Sequence, residues 1–186
     1  MRATGIDVQL GSQQRSYIRN VDVLFNSETN LVELLAPARI AVERFALDAS
    51  DVTPGTGISV GNFAVNKVAD RLRLDFGTNG ITGVRTSNTG DGFYRIRLDV
   101  NGDGDFTDAE DASFEFHRIL GDANGDAVVN NTDLAIVNSQ QGRTGALLQG
   151  DMDGNGGVNF QDRNFVNAQK AINRHLDEAL VALLDD

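Results

Sequence analysis

The 186-residue chain carries 27 acidic and 16 basic side chains, a formal net charge of −11, 40% apolar residues and no cysteine. So acidic a chain is a poor match for nucleic acid, which selects a basic face, and without cysteine there is no disulfide framework. The apolar share supports a real core in one large or two small domains, and no segment approaches the length of a membrane span.

Residues 1–118 read as β structure. Met1 to Leu10 has no apolar run of signal-peptide length, so the chain is expected to be a C-terminal piece of a longer secreted protein. From Arg71 to Phe76, Leu72, Leu74 and Phe76 alternate with Arg71, Arg73 and Asp75. From Phe93 to Val100, Tyr94, Ile96, Leu98 and Val100 alternate with Arg95, Arg97 and Asp99. Strict period two marks strands with one buried face. Weaker strands are expected at Ile6–Leu10, Tyr17–Phe25, Ile58–Phe63 and Ser113–Phe116. Leu31 to Leu47 is ambiguous. Its apolar residues fit a helical stripe, but Pro37 would break it, so a short helical turn followed by a strand at Ile40–Leu47 is the reading. Turn-rich connectors such as Asn88-Thr89-Gly90-Asp91-Gly92 separate the strands. About seven short strands suggest an antiparallel β-sandwich.

The last strand pair brackets Asp99 to Glu110, D-V-N-G-D-G-D-F-T-D-A-E. It fits the twelve-residue calcium-loop pattern at Asp99, Asn101, Asp103, Gly104 and Glu110, with Asp105 supplying its carbonyl. Its flanks are strands, so a hairpin tip is expected to grip the ion. Alternation places Asp99 on the polar face. Asp108 and Asp111 are read as spare charge. Without a cation, the six acidic groups within Asp99 to Asp111 would repel one another.

Beyond Ile119 the composition shifts, with essentially no linker. Gly121 to Asp133 reads G-D-A-N-G-D-A-V-V-N-N-T-D, and Gly150 to Asp162 reads G-D-M-D-G-N-G-G-V-N-F-Q-D. Loop positions 1, 3, 5, 9 and 12 carry oxygen donors in both. These are Asp122, Asn124, Asp126, Asn130 and Asp133, then Asp151, Asp153, Asn155, Asn159 and Asp162. Position 7 contributes the carbonyl of Val128 or Gly157. Five hard oxygens and a carbonyl in a tight turn suit Ca2+, which takes six to eight oxygens in adaptable geometry, better than Mg2+. Ala127 stands at position 6, where glycine normally makes the sharp turn. A short helix is expected at Thr132–Gln141. One long amphipathic helix is expected from about Gln161 to Leu184, its surplus apolar face packed on the β part.

At these residues the chain resembles a dockerin, a duplicated calcium loop-helix module of bacterial polysaccharide-degrading complexes. Asp122 to Leu134 matches the family repeat closely and Asp151 to Asp162 nearly as well, over about residues 119–175. Arg163 departs from the apolar residue that follows the loop in the family. The start of the chain, including Tyr17 to Asn26, is similar in pattern to immunoglobulin-like modules of bacterial surface proteins. The implied organisation is an immunoglobulin-like β-sandwich over 1–118 and a dockerin-like module over 119–186. The dockerin resemblance implies a cohesin-type protein partner. It also implies recognition positions at Asn131, Thr132, Asn138 and Ser139 in the first repeat, and at Phe160, Gln161, Asn167 and Ala168 in the second. Phe160 reads equally well as a packing residue.

No nucleophile elbow, P-loop or dinucleotide fingerprint is present, and the carboxylates fall in calcium loops. His117 ends a strand and His175 lies on the polar flank of the last helix, so both read as structural. The expectation is therefore a non-catalytic, monomeric, calcium-binding protein of the cell surface or exterior. Two readings stay open: calcium-dependent attachment through a cohesin, and a calcium-stiffened structural region with no such partner. Carbohydrate binding by the β part is weakly supported, since there is no Trp and both Tyr17 and Tyr94 are expected to point inward.

Overall fold

The computed structural model describes residues 2–27 and 31–184. Among the described residues, eight strands form two antiparallel four-stranded sheets: β1 (Ala3–Val8), β2 (Asn20–Phe25), β3 (Ile40–Phe45), β4 (Ile58–Ser59), β5 (Ala64–Val68), β6 (Arg71–Asp75), β7 (Gly92–Leu98) and β8 (Ala112–Arg118). One sheet runs β1-β2-β6-β5 and the other β4-β3-β7-β8. Val21, Val23, Leu72 and Leu74 from the first sheet share one core with Ile40, Val42, Tyr94, Ile96, Leu98 and Phe116 from the second. Two sheets closing on one apolar layer are compatible with a β-sandwich. On the outer face of the first sheet, Arg73 sits opposite Asp22 in register and binds it through two hydrogen bonds of 2.7 and 2.8 Å.

Several boundaries differ from the expectations. Ile58–Phe63 is not one strand. Pairing with β3 ends at Ser59, and an unexpected strand, β5, begins at Ala64. β5 is an edge strand with mostly exposed side chains, so no buried alternation marks it. The first strand stops at Val8 because Gln9 and Leu10 turn with φ of 53° and 55°. Leu31–Leu35 and Pro37–Arg39 form 3₁₀ turns that lead into β3, as the proline suggested.

Three helices follow: α1 (Asn131–Gln140), α2 (Phe160–Ala171) and α3 (Glu178–Val181). The single helix expected over 161–184 is therefore two. The break falls at Asn173, whose φ is 52°, and the chain then runs extended before Asp177 caps α3 through the amide of Ala179. Of the apolar residues along that stripe, Leu176 and Leu180 are buried, whereas Ala168, Ile172 and Ala179 are exposed. Leu176 and Leu180 enter a second core with Val129, Val137, Val158 and Val166, and with Phe45 and Phe93 from the second sheet. The C-terminal region thus shares its core with the end of the β-sheet.

Candidate metal-binding loops

Loops one and two are built on the same hydrogen-bond skeleton. Asp122 opens loop one, its Oδ1 accepting from the amide of Gly125 and its Oδ2 from that of Ala127. Asp133 closes it, accepting from Ala123 and Asn130 amides at 2.7 and 2.8 Å. In loop two, Asp151 accepts from the amides of Asn155 and Gly156. Asp162 closes that loop on Met152 and Asn159, both at 2.8 Å. Asn130 and Asn159 cap α1 and α2 reciprocally with Asp133 and Asp162, so the closing ligand position is also the third residue of a capping box. Helix and loop therefore fix each other.

Each loop is latched by the end of the other loop's helix. Val129 donates to the carbonyl of Arg174 and Leu176 to that of Ala127, just beyond α2. Val158 exchanges hydrogen bonds with Gly142 and Arg143, just beyond α1. Gly142 and Asn173, both at positive φ, make the equivalent turns. Asparagine is the commonest substitute for glycine in that conformation, and this is the sequence signal that divides α2 from α3. His175 consequently lies outside any helix, bridging Val128. Ala127 takes φ of 65°, as its place at position 6 required, where Gly156 takes 90° in loop two.

The hairpin loop repeats the skeleton one residue longer. Asp99 accepts from the amides of Gly102 and Gly104. The closing role expected of Glu110 falls to Asp111, which accepts from the amides of Val100 and Asp108. Glu110 is exposed, and its carboxylate is in no hydrogen bond or ion pair among the described residues. Asp99 itself is buried, with Arg39 at 3.8 Å, and does not stand on an exposed polar face. Asn101 donates to Asp103 and Asp108, so Asp108 is a loop member and not spare charge.

Two sets of three carboxylates have oxygen atoms within 4.8 Å of one another: Asp103, Asp105 and Asp108 in the hairpin, and Asp151, Asp153 and Asp162 in loop two. Asp105 thus brings its carboxylate to the hairpin cluster, where only its carbonyl was expected. Loop one, which like loop two has three aspartates and two asparagines at its donor positions, forms no such triad.

Asp133, Asp151, Asp153 and Asp162 are all buried, and none is in an ion pair among the described residues. Burial holds the carboxyls of Asp133 and Asp162 above the usual range. It pushes that of Asp151 up to about 6, with the charges of Asp162 and Asp153 adding to the effect. Burying unpaired carboxylates is costly unless a cation or proton compensates. The donor set is all oxygen, which fits a hard cation such as Ca2+ and not a thiolate- or imidazole-seeking metal.

The four first-repeat recognition positions, Asn131, Thr132, Asn138 and Ser139, are exposed. In the second repeat Phe160, Gln161 and Ala168 are exposed and Asn167 is half-buried. Phe160 is 66% exposed and so is not a packing residue.

Sequence reasoning missed how the β part grips these loops. The segment at residues 12–17 runs across both. Arg15 donates its amide to Asp122, and Ser16 Oγ donates to Met152. Arg118, fully buried, binds Asp91, which also holds Arg174 at 2.9 Å. Only the missing linker hinted at this. No helix among the described residues is long and apolar enough to cross a membrane. No protein-family model, curated protein or solved structure matches this chain.

Proposed function

We propose that this chain is a non-catalytic calcium-binding protein of the bacterial cell surface or exterior, dockerin-like at its C-terminal end. It attaches in a calcium-dependent way to a cohesin-type protein domain, in polysaccharide degradation or surface assembly. The observation that carries the calcium reading is the set of four buried carboxylates, Asp133, Asp151, Asp153 and Asp162, with no cationic side chain paired to them among the described residues. The third ion belongs to the hairpin, at the carboxylates of Asp103, Asp105 and Asp108, with Asp99, Asn101 and Asp111 around them. Exposure of Asn131, Thr132, Asn138 and Ser139 supports the attachment reading, since a β domain folded over them would have blocked it.

Strand order supports the immunoglobulin-like part. Taking β1 to β8 as A, B, C, C′, D, E, F and G gives sheets ABED and C′CFG. Tyr94, early in the F-equivalent strand, donates its hydroxyl to the carbonyl of Gly90 upstream, as a tyrosine corner does.

The second reading is a calcium-stiffened structural region without a cohesin partner. The hydrogen bonds from Arg15, Ser16 and Arg174 across the joint favour it, because they leave the loops no freedom to present themselves independently. A calorimetric calcium titration of the demetallated chain tests the shared part, with three ions expected and none sinking both readings. Binding to cohesin domains with calcium and with EDTA separates the two. Calcium-dependent binding abolished by Ser139→Arg upholds attachment, and no binding to any cohesin leaves the structural reading.

A further inference from the structure

The two loops differ at their first ligand position. Asp151 accepts two backbone amides, one on each oxygen, from Asn155 and Gly156. Asp122 likewise accepts one backbone amide on each oxygen, Gly125 on Oδ1 and Ala127 on Oδ2, and in addition a third donor that loop two lacks. That donor is Nε2 of His117, 2.8 Å from Asp122 Oδ2. His117 lies on β8, opposite Phe93 in register, and both it and Asp122 are buried. A carboxylate only accepts, so Nε2 carries the hydrogen. A carboxylate offers about four lone-pair directions. His117 and Ala127 occupy both on Oδ2, and Gly125 takes one on Oδ1. One remains, on Oδ1.

We propose that His117 is a positioning residue for the cation site of loop one. From the β-sheet side it fixes the Asp122 carboxylate so that a single Oδ1 lone pair is left for the ion. The inference rests on the calcium reading above and goes beyond it, because it makes the last strand of the β part a component of the first loop's site. The joint suits this role. Ile119 donates to the carbonyl of Arg15, Asp122 donates to that of Ile119, and the five-residue step from His117 to Asp122 has no slack. Loop one also has the greater need for outside support. Its sixth position is alanine held at positive φ, and it gathers no carboxylate triad. Hydrogen-bond partners behind a metal ligand commonly set affinity by about 10- to 100-fold.

The test is calcium titration of the full chain followed by amide NMR. The signals of Ala127 and Gly156 report loops one and two, because these amides donate to Asp122 and Asp151. In His117→Ala, calcium affinity read at Ala127 should fall about 10- to 100-fold while that at Gly156 is unchanged. His117→Gln, whose amide can donate from nearly the same place, should restore most of it. The melting temperature of the metal-free chain should be similar in both variants. Unchanged affinity at Ala127 in His117→Ala overturns the inference. So does a loss shared equally by both loops with a lowered metal-free melting temperature, which is what a purely structural tie would give. Ring ¹⁵N spectra of the unmodified chain remove any dependence on a variant folding: a hydrogen on Nε2 is expected with and without calcium, and an Nε2 without one overturns the inference. If the unmodified chain shows no calcium response at Ala127, the calcium reading of loop one itself has failed, an outcome distinct from the others.

Discussion

Ser16 and Met152, buried and 136 positions apart, are joined by a 2.7 Å hydrogen bond from the serine hydroxyl to the methionine carbonyl. The same hydroxyl accepts from the amide of Gly121 at 3.0 Å. One side chain of the β part therefore touches the residue before Asp122 in loop one and the residue after Asp151 in loop two. Ser16→Ala leaves a buried amide and a buried carbonyl short of a partner. It should cost about 1–3 kcal/mol. Urea unfolding checks this, with tyrosine fluorescence following the β part and calcium release following the loops. The two transitions should coincide in the parent chain. Separate midpoints would mean that the joint does not couple the halves.

Asp91 holds the other side of the joint. Its carboxylate accepts from Arg118 and from the amide of Leu120 on Oδ1, and from Arg174 on Oδ2. Arg118 is 1% exposed and also donates to the carbonyls of Ser16 and Ser87. Asp91→Asn removes the one carboxylate that pairs with the buried Arg118 guanidinium among the described residues, a change that typically costs about 3–5 kcal/mol. Arg174→Ala should cost less, about 1 kcal/mol, because its side chain is partly solvated. Chemical denaturation of the two variants should rank them in that order.

Gly125 and Gly154 lie where the segment at residues 12–17 crosses the loops. A methyl group on Gly125 would stand 2.4 Å from the carbonyl oxygen of Gln13, and one on Gly154 2.2 Å from the ring of Tyr17. Both glycines also have positive φ. Alanine at either site should destabilise by about 2–4 kcal/mol, the sum of left-handed strain and overpacking. Gly142 supplies the control. Its φ is 82°, and a methyl group there meets nothing within 4 Å. Gly142→Ala should cost only the conformational part, about 1–2 kcal/mol. Equal losses at all three would show that contact with the β part adds nothing.

Elements whose side chains alternate between core and solvent were legible in the sequence. β6 and β7 appear where Leu72, Leu74, Ile96 and Leu98 predict them, and both duplicated loops fold on one skeleton. What escaped was set by residues far apart in sequence or by backbone conformation. β5 is exposed, so no hydrophobic period marks it. The break after α2 depends on the left-handed Asn173, and apolar spacing runs straight through it. The closing residue of the hairpin moved from Glu110 to Asp111 because hydrogen bonding to Val100 and Asp108 sets the register, which pattern matching on side-chain types does not see. His117 was read as structural, and nothing local in sequence announces its bond to Asp122.

Metal removal and pH should act together on this chain. In the metal-free protein, burial holds the carboxyls of Asp133, Asp151 and Asp162 above their ordinary values, Asp151 to about 6. An unfolded aspartate titrates near 3.9. Between these values the folded chain binds more protons than the unfolded one, so stability falls as pH rises. The metal-free chain should therefore melt at a higher temperature near pH 5 than near pH 7.5. Asp51 and Asp103 are shifted downward and act in the opposite sense, but both are exposed. Calcium requires the ionised carboxylates and displaces those protons. Each site filled at about 100 times its Kd adds about 2.7 kcal/mol. The rise in melting temperature on adding calcium should consequently be larger at pH 7.5 than at pH 5. Differential scanning calorimetry at the two pH values, in EDTA and in excess calcium, gives all four numbers. A metal-free chain that is more stable at pH 7.5 would mean that the buried carboxylates are already compensated without a cation, and the physical basis for the calcium sites would be lost.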